Sequence, residues 1–298
     1  MNTRKLLLTL VGFWFALVAA SFAQTQTTQA TVARVTGQAT VTLLDGTTTP
    51  LTAGMKVATG ATINTGVDGE VYLESHAGYV TTIKPDSRVL VEDVSVTSEN
   101  GKVVKENTTM DLKRGNLIAL LDPKKKAVNN YQVRTPKGVA AARGTQFSVM
   151  FRGERVNVSV VGGVVSWGDN SIAAGNAVID GVSTPLSEVA GENATLVADM
   201  VAAVAVAAAN NIGGVTAADV AAVTTSVLTS NPALATEIGS KVQQFAPTMT
   251  ATVVTAATAV SSEVATAVTT GSNSAPPAPT TSDTPPQALE PITVASPT

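Results

Sequence analysis

The chain has 298 residues, 44% of them hydrophobic but only 4% aromatic and 14% charged, with a net charge of −3. Ala and Val dominate the apolar set, so a core has to be assembled from many small side chains, each burying little area. With no cysteine in the sequence, disulfides, thiolate metal sites and lipid attachment through a cysteine are excluded.

In chain order, the first signal is the N-terminus. Arg4 and Lys5 precede an apolar run from Leu6 to Ala20, and Ser21-Phe22-Ala23 ends it with small residues. That pattern predicts a signal peptide over residues 1–23, cleaved before Gln24. The run is short for a membrane span, which needs about 20 residues. The expectation is an exported protein, periplasmic or secreted, with no transmembrane segment left after cleavage.

Residues 24–184 read as β. Asp45-Gly46, Pro85-Asp86, Asn100-Gly101 and Arg114-Gly115 are turn signals between short runs of β-branched residues. EVYLES sets Val71 and Leu73 against Glu70, Tyr72 and Glu74, and RVNVSVV sets Val156, Val158 and Val160 against Asn157 and Ser159. The predicted fold is mainly β, a small-residue β-roll or solenoid-like domain or a sandwich of short strands.

Over residues 185–270 the composition turns to Ala and Val, and helix signals replace turn signals. Thr216-Ala-Ala-Asp219 has the form of a capping box, and Asn231-Pro232 pairs a capping residue with a first-turn proline. A 15-residue pattern recurs in ADVAAVTTSVLTSNP, ALATEIGSKVQQFAP and TMTATVVTAATAVSS. Each unit predicts one helix of about 11 residues plus a turn, stacked on small apolar faces. Residues 271–298, rich in Pro, Ser and Thr, are expected to be a disordered tail.

Charge is unevenly spread. Residues 100–155 carry 12 basic and 4 acidic side chains, and residues 156–298 carry 1 basic and 10 acidic. A basic middle suits either an acidic partner or the chain's own acidic C-terminal third. It lacks interleaved aromatics, so no nucleic acid partner is expected. Lys124, Lys125 and Lys126, with Arg134 and Lys137 nearby, form a candidate anion patch.

No catalytic set is evident. His76 is the single histidine, and no nucleophile motif or P-loop is present. No catalytic residue, metal or cofactor is expected, and the chain reads as a non-enzyme. Arg143 is the puzzle. Val139, Ala141, Arg143, Phe147 and Val149 share one parity, so a straight strand would aim Arg143 into the core, and a buried unpaired cation is costly. Two solutions are open. A bulge at Gly144 turns Arg143 outward, or Arg143 is internal and paired with Asp111, Asp86 or Glu92.

The same residues carry a family resemblance. TPKGVAAARGTQFSV, with Thr135, Pro136, Arg143, Gly144 and Thr145 as its structural signature, resembles the FecR-type periplasmic domain. LTAGMKVATGATINTGVDGEVYLE, IKPDSRVLV, LKRGNLIALL and VNVSVVGGVVSW resemble the family's other strands. The resemblance implies an all-β, non-enzymatic domain used in protein contact or envelope sensing. Family members that regulate iron uptake carry a cytoplasmic sigma-factor-binding region and a membrane span ahead of this domain. Here the expectation is a stand-alone exported member without that region. The leading expectation is a protein- or glycan-binding scaffold module of the cell envelope. The alternatives are an envelope signal-sensing component working through a membrane or sigma-regulatory partner, and, third, a glycan-active enzyme.

Overall fold

A computed structural model describes residues 23–278. Residues 1–22 of the expected signal peptide and residues 279–298 of the expected tail lie outside the described residues. The strand region runs β1 (Gln24–Thr27), β2 (Gln29–Thr36), β3 (Ala39–Thr42), β4 (Thr48–Pro50), β5 (Lys56–Ala58), β6 (Thr62–Thr65), β7 (Glu70–His76), β8 (Tyr79–Ile83) and β9 (Arg88–Glu99). It continues through β10 (Lys102–Leu121), β11 (Asn129–Thr135), β12 (Gly138–Ala142), β13 (Gln146–Arg152), β14 (Arg155–Gly162), β15 (Val164–Trp167), β16 (Asn170–Ala173), β17 (Asn176–Ile179) and β18 (Val182–Pro185). Five helices follow, α1 (Gly191–Ala209), α2 (Ala217–Ser230), α3 (Ala235–Phe245), α4 (Thr250–Val260) and α5 (Ser262–Asn273). The final helix passes residue 270, the expected end of the helical region, and Gly271 is buried where its Cα meets the Thr236 backbone of α3.

Two sheets share the 20-residue strand β10. Its first part pairs with β9 and, in parallel, with β11. Its second part pairs with β8 and β13. The strand changes sheets at Gly115, whose φ of +100° suits glycine and whose missing Cβ leaves room for Ser87. The first sheet is ordered β4-β3-β6-β9-β10-β11-β12-β15-β16, with β1 extending the β9 edge beside β6. The second is ordered β5-β2-β7-β8-β10-β13-β14-β17-β18. Of the architectures left open above, the molecule takes the one with facing sheets. Hairpins between consecutive strands and pairings between strands further apart, such as β2 with β7 and β12 with β15, build it together.

The inner faces of the two sheets meet in one core that includes Val71, Leu73, Met110, Leu112, Phe147 and Val158. A second core lies on the other face of the second sheet, where Tyr72, Val80, Ile118, Leu120 and Met150 meet the helices. The layers are therefore sheet, sheet, helices, and the helices are docked on the strands. Tyr72, Asn157 and Ser159 lie on the faces of their strands turned away from the first core, and each is at most 1% exposed because α1 and its neighbours cover that side.

The helix signals translate directly into structure. Thr216 and Asp219 form a capping box, with the Thr216 N–H donating to Asp219 Oδ2 at 2.8 Å and the Asp219 N–H to Thr216 Oγ1 at 3.4 Å. Pro232 and Pro247 each open a single 3-10 turn, and α3 and α4 follow with 11 residues apiece. Helix α1 is, among the described residues, the one helix long and apolar enough to cross a membrane. Its apolar window is 78% buried between the second sheet and the other helices.

An ionic network crosses the helix–sheet boundary. Lys84, just past β8, pairs with Glu70 on β7 and reaches Asp199 on α1 at 3.7 Å. Lys241 on α3 reaches the same Asp199 at 2.9 Å, and the Tyr72 hydroxyl donates to Glu70 Oε1 at 2.6 Å. Burial alone would push the Lys84 ammonium down, but Glu70 and Asp199 outweigh it and hold its pKa above the ordinary lysine value. The basic middle of the chain contributes less to this boundary than its charge suggests. Of its 12 cations, Arg152 and Arg155 are the two that pair with carboxylates of residues 156–298, namely Glu192 and Asp180.

The corner at residues 143–145 resolves the Arg143 puzzle. Strand β12 belongs to the first sheet and β13 to the second. Ala140 and Ala142 face the core on β12, whereas Phe147, Val149 and Phe151 do so on β13, so the parity resets between them. Arg143 is exposed and makes no ion pair among the described residues. Of the partners considered for it, Glu92 pairs with Arg134 and Asp111 with Lys113. The chain changes sheets here, and the register shift beside the corner lies between Gln146 and Phe147, past Gly144. Gly144 takes φ +63°, and a Cβ there would lie 2.7 Å from Pro123 Cα. Thr145 is fully buried, and its hydroxyl donates to the Val164 carbonyl at 3.1 Å.

Two outcomes follow. Gly144→Ala should lose about 2–5 kcal/mol, from the left-handed backbone and the overlap with Pro123, measured by urea unfolding. Lys84→Met should lose about 3–5 kcal/mol by stranding Glu70 beside Asp199. Because the folded-state pKa of Lys84 is raised, its stabilisation is complete below the ordinary lysine value of about 10.4 and fades as pH climbs through the higher folded value. Wild-type stability should therefore fall in that alkaline window more steeply than that of Lys84→Met.

Candidate functional site

With the second sheet covered on both sides, the outer face of the first sheet is the broad strand surface left open. Its side chains are set by register. Ser95 on β9 stands opposite Asn107 on β10, and Asn107 opposite Asn130 on β11. They are joined in a row: Asn130 Nδ2 donates to Asn107 Oδ1 at 2.9 Å, Asn107 Nδ2 to Ser95 Oγ at 3.2 Å, and Ser95 Oγ to Asp93 Oδ2 at 3.1 Å. Such a row fixes amide orientations and leaves a rigid polar surface. The next row holds Thr109, Gln132, Ala141 and Ser166.

At the Arg143 corner this face runs into a groove of about 730 Å³. Ala141, Val164 and Ser166 line it from the sheet, with the Asn130 and Gln146 amides and the cations Lys126 and Arg143. Pro123 and Lys126 come from the turn after β10. There the Asp122 carboxylate accepts from the Lys124 N–H at 2.9 Å and caps a short 3-10 helix.

The candidate anion patch does not assemble as one cluster. Lys125 turns inward, 3.4 Å from Glu106 and 5.4 Å from the centre of the Tyr79 ring. Arg134 lies 2.8 Å from Glu92, and Lys137 pairs with Glu154. Lys124 lines a separate cavity of about 220 Å³ between the strand ends and α2. Lys126 alone of the five enters the groove, and Arg143, read as structural, joins it there. Thr135 and Pro136 shape the β11–β12 hairpin, where Thr135 Oγ1 donates to the Gly138 carbonyl at 3.1 Å. Sequence reasoning missed the groove because the parity argument placed Arg143 within a single strand.

His76 is half-buried, its Nε2 2.9 Å from the Asn107 carbonyl oxygen and its ring edge-on to Tyr79. Burial, with Glu106 beside the hydroxyl, raises the Tyr79 pKa far above the tyrosine range. Among the described residues, no three of His, Cys, Asp and Glu come together as a metal-binding group.

Residues 61–166 match the sequence model of the family described as FecR protein. No curated protein matches the chain. Among solved structures, two crystal structures of a candidate anti-sigma factor from Parabacteroides distasonis ATCC 8503, at 1.65 and 2.50 Å resolution, are similar to part of it. They share 12% identity with TM-scores of 0.35 and 0.34, covering 47% and 46% of this chain. The chain in turn spans 64% and 62% of theirs, less than two thirds of their length. The matched segment begins before β6, ends within β15 and contains every residue named at the groove. What these matches give for residues 61–166 is a similarity to the FecR protein family.

Proposed function

We propose that the protein is a non-enzymatic, exported signal-sensing component of the cell envelope, and that its FecR domain meets an envelope partner across the open face of the first sheet. The observation that carries this reading is the placement of the helices. They cover the second sheet, and the strand surface that stays free is a rigid polar face inside the family segment. The N-terminal export signal supports the location, and the family supports the sensing role. A glycan-binding scaffold is the second reading, favoured by the amide and hydroxyl rows, which suit hydroxyl-rich ligands.

Site-specific photo-crosslinking in intact cells tests the proposal. A crosslinker at Gln132, on the open face, should capture one envelope protein, and a crosslinker at Thr258, on the exposed side of α4, should not. Capture from Thr258 alone, or of cytoplasmic proteins only, would sink the reading. Capture of polysaccharide from Gln132 would replace it with the scaffold reading.

A further inference from the structure

We propose that the groove at the Arg143 corner binds an extended acidic peptide segment, with carboxylates at Lys126 and Arg143 and an apolar side chain on Val164. This deepens the contact reading above by naming the partner's chemistry.

Charge accounting leads to the groove. Six of the 12 cations in residues 100–155 have a carboxylate partner within 4.0 Å among the described residues, namely Lys113, Lys125, Arg134, Lys137, Arg152 and Arg155. The other six are Lys102, Lys105, Arg114, Lys124, Lys126 and Arg143. Arg114 sits at the far end of the first sheet, opposite Arg88. The rest gather at the groove end. Lys126 and Arg143 line the groove itself. Lys124 lies two residues away on the same turn. Lys105 is on the strand next to that turn's exit, where the Glu106 N–H donates to the Val128 carbonyl at 2.8 Å. Lys102 is three residues further out along the same strand. Of the nearby carboxylates, Asp122 and Glu106 are engaged, and Glu99 stands opposite Lys102 in the β9–β10 register. Asp122 caps the turn and Glu106 holds Lys125. An uncompensated positive end of this kind attracts an anionic partner.

Shape selects among anions. A volume of about 730 Å³ lies within the ~300–1,000 Å³ of ligand pockets, so a single inorganic anion would leave most of it empty. The sheet side is paved with small residues, Ala141 and Ser166, over which an extended chain can lie flat. Asn130 and Gln146 offer amides that can both donate to and accept from peptide groups. Val164 is 50% exposed, one of four large hydrophobics at least half exposed among the described residues. Lining the same groove as two cations, it suits a peptide that carries carboxylates beside an apolar side chain and offers nothing to a bare phosphate. Arg143 adds a planar fork matched to a carboxylate.

The test uses the purified mature chain and a fluorescein-labelled eight-residue peptide with glutamates on either side of a central valine, read by fluorescence anisotropy. The wild type should bind it, and a peptide with glutamine in place of glutamate should bind at least tenfold more weakly. The double variant Lys126→Ala/Arg143→Ala should lose at least tenfold in affinity with an unchanged melting temperature. Arg143→Lys should recover part of the loss, and Arg114→Ala should stay within twofold of wild type. Equal losses from Arg114→Ala and from the double variant would overturn the proposal, as would an unaffected double variant. Competition by inorganic phosphate at the peptide's own concentration would reduce the site to a general anion site and overturn it too. So would tighter binding to phosphatidylglycerol vesicles than to the peptide. If peptide binding fails while crosslinking at Gln132 still captures an envelope protein, the groove assignment falls and the contact reading stands.

Discussion

A sheet that is apolar on both faces has to be covered twice, and the rest of this structure depends on how that requirement is met. The second sheet turns Val71, Leu73, Phe147 and Val149 toward the first sheet, and Tyr72, Ile118, Leu120 and Met150 away from it. Left open, that second face would be a large exposed hydrophobic patch of the kind monomeric proteins avoid. The helical region supplies the cover. Helix α1, too apolar to face water on any side, finds burial there in turn. Each layer's exposed surface is the other's solution, which explains how a chain rich in Ala and Val, with few aromatics, still assembles two cores.

The cover is not purely apolar. Lys84, Glu70, Asp199 and Lys241 bring two cations and two carboxylates into the boundary between strands and helices. Ion pairs in such places contribute little net stability compared with apolar packing, but they are intolerant of misplacement. In this chain they fix where α1 and α3 sit along the sheet. A face of Thr82, Ser148 and Ser159 beneath a smooth Ala/Val helix would otherwise define that position weakly.

Covering one sheet determines where function can lie. The first sheet keeps its outer face free, and leftover positive charge collects at one end of it. The corner that carries β12 into β13 stands at that end. The backbone geometry that lets the strand change sheets, with Gly144 against Pro123 and Thr145 tied to Val164, also holds Arg143 out beside Lys126. A structural device and a charged groove therefore share the same three residues, and the corner's rigidity preorganises the groove.

Much of this was legible in the residues alone. The turn dipeptides and β-branched runs specified a strand-rich region. The Thr216–Asp219 box and the prolines at 232 and 247 specified helix starts, and the spacing of RGT within TPKGVAAARGTQF marked the family. These are local features, decided by backbone dihedrals and hydrogen bonds between near neighbours, and near neighbours are visible in a sequence. What the tertiary structure decided was which face of each strand meets water. Alternation in EVYLES and RVNVSVV reports two faces but not whether a later helix will cover the second, and Tyr72, Asn157 and Ser159 are buried on that second face. Parity across Ala142 and Phe147 presumes one strand, and it fails for Arg143 because the chain changes sheets between them. Burial and charge compensation depend on residues brought together from distant parts of the chain, and that information exists only once the layers have packed.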